Sequence, residues 1–162
     1  MAGFAVLCLV GALGATLVAP PRPLLIWNVS RSAPIGLYRV EAAGQYSVGD
    51  MVAARVPVRW RPFGGARHYI PVIVPLIKRI AAAPADRVCA DGAHITIDGR
   101  LAARRRARDG AGRKIPGWTG CVNLQTGEHL LLMEHAASFD GRYFGATAAS
   151  DIIGRVQLIW PR

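Results

Sequence analysis

Along most of this chain the apolar residues come in short runs broken by Gly, Pro, Asn and Asp, not at the spacing of an amphipathic helix. The runs Leu24–Trp27, Ile35–Glu41, Met51–Val56, Tyr69–Ile80, His94–Ile97, His129–Met133 and Arg155–Trp160 therefore read as strands. Gly49-Asp50, Asp91-Gly92, Asp98-Gly99, Asp109-Gly110 and Asp140-Gly141 punctuate them. Asp and Gly both tolerate positive φ, which tight hairpin turns require. The pattern predicts a mainly β domain of antiparallel sheets over residues 21–162, with at most a helical turn or two. Two segments break the pattern. Residues 57–68, PVRWRPFGGARH, read as a long loop that touches a membrane surface through Trp60 and Phe63. Residues 100–113, RLAARRRARDGAGR, read as a solvated hairpin or loop. The sharper reading of that cluster is a patch for anionic lipid or another acidic partner.

The N-terminal block differs from everything after it. Residues 2–19 carry no charge, and Pro20-Pro21-Arg22-Pro23 ends the run. As a helix it would extend roughly 27 Å, close to the roughly 30 Å hydrocarbon core of a bilayer. Residues 1–20 are thus expected to form one transmembrane helix. A cleaved secretory signal is the other reading. Against it, Leu17 is large for a small-x-small cleavage site and no Lys or Arg precedes the run. Either reading sends residues 21–162 across a membrane.

Composition sharpens this. Apolar residues make up 52% of the 162, enough for a sizeable core, and charged residues only 19%, which argues against disorder. The formal charge is +10, which favours anionic partners. No nucleic-acid-binding motif accompanies the charge, so no nucleic acid is expected. Lys78 and Lys114 are the two lysines in a chain that otherwise uses arginine. Cys8 lies in the apolar block. Cys89 and Cys121 lack a CxxC pattern or a matched histidine cluster, so no metal site is expected. In an exported domain they read as a disulfide, with two buried thiols as the other reading. His68, His94, His129 and His135 are scattered, and no cofactor-binding motif is present.

Three segments carry chemistry. In Asn28-Val-Ser30-Arg-Ser32-Ala-Pro34-Ile-Gly36, two serines stand two apart before a Pro/Gly turn. Alone this is an ordinary loop. In Pro71-Val-Ile-Val-Pro-Leu-Ile-Lys78-Arg79-Ile80, a lysine follows a nearly continuous apolar run. If strand alternation sends Arg79 outward, it turns Lys78 inward. Burial lowers a lysine pKa, and a neutral amine can take the proton of a serine hydroxyl. In Ser138-Phe-Asp140-Gly-Arg142-Tyr-Phe-Gly145, Asp140 and Arg142 stand close enough to pair.

Together these segments resemble the signal peptidases of the Ser/Lys type, and most of all their conjugative-transfer branch, the TraF-type peptidases. Four blocks match in order: Ser30 to Gly36, Gly49 to Val52, Pro75 to Ile80 with Pro84 and Asp86, and Ser138 to Gly145 with Ile153-Gly154-Arg155. Ala33-Pro34 directly after Ser32 favours the conjugative branch over general signal peptidases, which usually place Met there. Pro84-Ala85-Asp86 stands where the family usually has Pro-Gly-Asp. The large extra domain of many general signal peptidases is absent. The resemblance implies a fold of the signal-peptidase type with Ser32 as nucleophile and Lys78 as general base. It implies that the Ser32 N–H and the Ser30 hydroxyl stabilise the oxyanion and that Ser138 orients the Lys78 amine. Asp140, paired with Arg142, would hold that segment in place.

The resulting expectation is a serine endopeptidase in a bacterial inner membrane, with its catalytic domain in the periplasm. Its substrate would be an exported pilin-like or signal-peptide-bearing protein, and it would need no cofactor. The rivals are a general type I signal peptidase and a membrane-anchored adaptor without catalysis.

Overall fold

The computed structural model describes Val6, Val10 and residues 23–42, 44–71 and 73–162. The expected membrane helix over residues 1–20, with Cys8, lies outside the described residues apart from those two valines. Among the described residues no helix is long and apolar enough to cross a membrane.

Eleven strands form two antiparallel sheets. Strands β1 (Leu25–Asn28), β2 (Gly36–Glu41), β3 (Met51–Ala54), β4 (Leu76–Ala82), β9 (Glu128–Leu132), β10 (Thr147–Ala148) and β11 (Ile152–Pro161) make a seven-stranded sheet in the order β1-β2-β11-β3-β4-β9-β10. Strands β5 (Arg87–Asp91), β6 (His94–Ile97), β7 (Arg100–Arg104) and β8 (Gly120–Asn123) make a four-stranded sheet in the order β7-β6-β5-β8. Among the described residues from 23 onward, two short α-helices, α1 (Arg61–Ala66) and α2 (Gly141–Phe144), and two 3-10 turns join the strands.

The large sheet is strongly curled. Three strands separate β1 from β4, and at about 4.8 Å per strand a flat sheet would hold them roughly 19 Å apart. Yet Ile26 of β1 and Ile77 of β4 belong to one core cluster with Tyr38, Val40, Ala53, Ile153 and Val156. Burying these inward faces together drives the curl, and the right-handed twist of the strands permits it. A second cluster, including Ala82, Val88, Ile95, Leu124 and Leu130, fixes the small sheet against the large one. Cys89 and Cys121 face each other across β5 and β8 and are joined by a disulfide.

Several segments depart from the expected pattern. Residues 69–71 and 73–75 form no strand, and β4 begins only at Leu76. Pro71 and Pro75 have no N–H to give a ladder. Residues 57–68 contain a 3-10 turn and α1 instead of one long loop. Trp60 and Phe63 are half-buried, in edge contact with each other at 5.5 Å and both near the Phe139 ring at 6.3 Å. They brace the chain from inside. The arginine-rich run starts as β7, hydrogen-bonded to β6, and continues as a loop.

The Asp-Gly pairs divide by context. Asp98 and Gly99, at φ 49° and 77°, make the two-residue β6–β7 hairpin turn. Asp140-Gly141 makes no hairpin: Asp140 caps α2 by accepting from the Arg142 N–H. In the Pro84-Ala85-Asp86 turn, Ala85 adopts φ 79°, a left-handed conformation that costs a Cβ-bearing residue about 1 kcal/mol or more. The turn persists because Ala85 N donates to Leu124 O at 2.9 Å and Ala83 N donates to the Asp86 carboxylate at 2.8 Å. Ala85→Gly should therefore stabilise the fold, by about 1 kcal/mol, read as a raised denaturation midpoint with unchanged cooperativity.

Candidate active site

The Lys78 side chain is 2% exposed, while Arg79 beside it faces solvent. Strand alternation sets the two apart: Lys78 lies opposite Val52 of β3 and shares its face of β4 with the buried Leu76 and Ile80, while Arg79 points to the other face. Burial draws the Lys78 amine from its ordinary value near 10.5 down to about 8. The Asp140 carboxylate opposes this shift and the Arg142 guanidinium adds to it.

The turn between β1 and β2 meets this lysine. Lys78 Nζ donates to Ser32 Oγ at 2.8 Å. Ser32 Oγ also lies 2.9 Å from Ser30 Oγ, and the Ser32 N–H donates to Ser30 Oγ at 3.3 Å. Ser30 is exposed and Ser32 half-buried. The turn is built on Asn28, which residue patterning did not single out for a role. Its buried Nδ2 donates to the carbonyls of Ser30 (3.0 Å), Ala33 (3.1 Å) and Pro34 (2.9 Å). Its Oδ1 accepts from the Ser30 N–H at 3.0 Å. The Tyr38 hydroxyl adds a bond to Pro34 O at 2.8 Å. An asparagine ahead of a Ser/Pro/Gly turn signals such side-chain-to-backbone bonding, but its acceptors are carbonyls that no spacing identifies.

Behind the lysine, Asp140 and Arg142 form an ion pair with both side chains almost wholly buried. Arg142 Nε and Nη2 donate to the two carboxylate oxygens at 2.8 and 3.1 Å. The Met133 and Arg142 N–H groups donate to the same carboxylate, each at 3.1 Å. The rest of the guanidinium bonds the carbonyls of Met133, Arg104 and Ala136. One pair thus ties the segment after β9, the start of α2 and the end of β7 together. Phe139 packs among Trp60, Phe63, Tyr69, Tyr143 and Phe144.

Ser138 falls short of the expected contact. Its hydroxyl is buried without a hydrogen-bond partner, so it does not orient the Lys78 amine here, although both residues line one cleft. That cleft, of about 390 Å³, runs from β1 and the serine turn across residues 69–78 to the 106–110 loop. Its floor is mainly apolar, and Ser32 and Lys78 open onto it. Among the described residues no cluster of His, Cys, Asp or Glu could hold a metal ion. The geometry sets a serine hydroxyl 2.8 Å from a desolvated amine, beside a mainly apolar cleft.

Removing one member of the buried pair leaves the other uncompensated. Asp140→Ala should cost about 3–5 kcal/mol in urea denaturation. Asp140→Leu combined with Arg142→Met should recover much of that loss.

The family model described as signal peptidase, peptidase S26, matches residues 1–161. A probable conjugal transfer protein TraF of Sinorhizobium fredii is 31% identical over 140 residues, covering 80% of this chain and 73% of its own length. The conjugal transfer protein TraF of Agrobacterium fabrum is 35% identical over 138 residues, covering 78% and 77%. A crystal structure of a signal peptidase I from Enterococcus faecalis aligns with TM-score 0.42 and 14% identity over 72% of this chain and 100% of that one. A chain matched nearly end to end by one family model, and at this identity by conjugal transfer proteins, belongs to the peptidase S26 family of signal peptidases.

Proposed function

We propose that this chain is a membrane-anchored serine endopeptidase that processes an exported precursor of a conjugative apparatus, such as a pilin, on the periplasmic side of a bacterial inner membrane. The observation that carries the reading is the 2.8 Å contact between Ser32 Oγ and the buried Lys78 Nζ. The names of the conjugal transfer relatives support the substrate class.

In this mechanism the neutral Lys78 amine takes the Ser32 hydroxyl proton as Oγ bonds to the scissile carbonyl carbon. The developing oxyanion would take over the Ser32 N–H and the Ser30 hydroxyl, which otherwise engage each other and Ser32 Oγ. Lys78 then gives its proton to the departing amine as the C–N bond breaks. Water, or an amine of the substrate, next attacks the acyl ester and passes its proton to Lys78, which returns it to Ser32 Oγ. Asp140 and Arg142 act as positioning residues: they hold the segment against which the lysine packs and set opposing fields on its amine.

Ser32→Ala should abolish precursor processing while leaving the melting temperature nearly unchanged. The kcat/KM of the wild type should rise with pH along a limb with its midpoint near 8, because the protonated lysine cannot act as base. In Asp140→Asn that midpoint should move down, since the anion that favours the charged amine is gone. Processing by Ser32→Ala at the wild-type rate would refute the reading.

Lys78 also sets a stability trade. Its folded pKa lies below its unfolded one, so between about 8 and 10.5 the unfolded chain binds the extra proton. Stability therefore rises with pH across that window and is lowest below it. Lys78→Met should be inactive yet about 1–3 kcal/mol more stable at pH 7, with that pH slope removed.

A further inference from the structure

The cleft that holds Ser32 and Lys78 is charged on one side of the balance. Arg31, Arg106 and Arg108 line it, and all three are exposed. Arg31 sits between the two serines of the turn. Arg106 and Arg108 sit on the loop after β7, which is pinned to the site because the Arg106 N–H donates to the Tyr143 hydroxyl at 3.1 Å. Asp109 is the one carboxylate among the described residues lining the cleft, and its own neighbours occupy it. It accepts from the Tyr69 hydroxyl at 2.7 Å and Arg113 Nε at 2.8 Å, with Arg67 at 3.5 Å. The Tyr69 hydrogen bond, then those from Arg113 and Ala111, hold its carboxyl well below the usual range. Asp109 is therefore a fixed anion already matched by cations outside the arginine trio. Asp140, deeper in, is likewise matched by Arg142. The charge left facing a bound chain is positive.

We propose that this cleft selects peptides carrying Asp or Glu close to the scissile bond, with Arg31, Arg106 and Arg108 reading the carboxylates while the apolar floor takes the residues between them. The proposal rests on the peptidase reading and names its substrate class. A peptide fits better than a lipid surface because the exposed arginines line a concave cleft of about 390 Å³ whose apolar floor includes the buried Ile26, Leu76 and Ile77. An extended chain can lie along such a floor, which a bilayer face cannot reach. Exposed arginine–carboxylate pairs are individually weak, so discrimination comes from several acting together and is sensitive to salt.

The test uses the full chain in zwitterionic detergent and three peptides that differ only in having Glu, Gln or Lys at the positions flanking a small-residue cleavage site. Dissociation constants are measured on the Ser32→Ala protein and turnover on the wild type. The Glu peptide should bind about three- to thirtyfold tighter than the Gln peptide. The ratio should shrink from about 0.05 M to about 0.5 M salt. Arg106→Gln with Arg108→Gln should bring it towards one, and Arg106→Glu with Arg108→Glu should favour the Lys peptide. Equal binding of Glu and Gln peptides, or a ratio unmoved by these substitutions, overturns the proposal. It is also overturned if the substitutions instead abolish binding to phosphatidylglycerol vesicles and leave peptide choice intact. A preserved binding ratio with no wild-type turnover of any peptide supports the selective cleft while sinking the peptidase reading.

Discussion

The structure depends on holding one amine out of water. Lys78 gains nothing for stability by being buried: its charged form is disfavoured there, and the strand would pack as well around methionine. What burial yields is an amine that gives up its proton near pH 8 instead of 10.5, placed against a hydroxyl. The surroundings follow from that requirement. The large sheet curls until β1 and β4 share a core, because only then can the turn after β1 reach a side chain on β4. Lys78 lies opposite Val52 on β3 and shares its face of β4 with Leu76 and Ile80, and none of these side chains offers an amine a hydrogen-bond partner.

The Asp140–Arg142 pair is the counterweight. An unpaired buried carboxylate beside Lys78 would favour the ammonium and cancel the effect of desolvation. An unpaired guanidinium would depress the amine further and leave its own charge uncompensated. As a close pair they press on the amine in opposite directions, so desolvation remains the leading influence. Their larger effect is mechanical. Arg142 gathers carbonyls from Met133, Ala136 and Arg104, and Asp140 takes two backbone N–H groups. The aromatic cluster around Phe139 backs the same segment from the other side.

How much of this was legible in the sequence depends on whether a feature leaves a mark in residue type. Gly36–Glu41, buried at alternate positions, and Glu128–Leu132, buried on both faces, announce themselves by apolar content and turns. Gly120–Asn123 is exposed throughout and Arg100–Arg104 nearly so, and both are held by backbone ladders to neighbours, which no apolar pattern records. Tyr69–Pro75 has strand-like composition but two prolines that deny it a ladder. The six residues of α1 include two glycines and a proline, and its support comes from Trp60 and Phe63 packing on residues far along the chain. At the site, a lysine after an apolar run and paired serines before a Pro/Gly turn were visible as types. Their contact was not, because it depends on the curl of a sheet whose strands pair out of sequence order. The part of Asn28 was hidden for a related reason: its partners are main-chain carbonyls, which every residue has.

In the proposed mechanism the two halves of the dyad meet opposite demands on water. A general base must be dry to be neutral, whereas a nucleophile must be open to the chain it attacks. Lys78 is 2% exposed, Ser32 half-buried and Ser30 exposed, so the demand changes over one hydrogen bond. A sheet interior supplies the dry side readily. The open side is harder, since an exposed turn would ordinarily wander and lose the contact. Asn28 resolves this by clamping three carbonyls of the turn from beneath, from a strand position that is itself buried. The turn is thereby fixed without being covered, and the face bearing Ser30, Arg31 and Ser32 stays open to the cleft. A glutamine at position 28 would carry the same amide on a longer arm and could not meet all three carbonyls without lifting the turn, which would lengthen the Ser32–Lys78 contact. Fixing the turn from the buried side is what keeps a half-buried hydroxyl within hydrogen-bond reach of a dry amine.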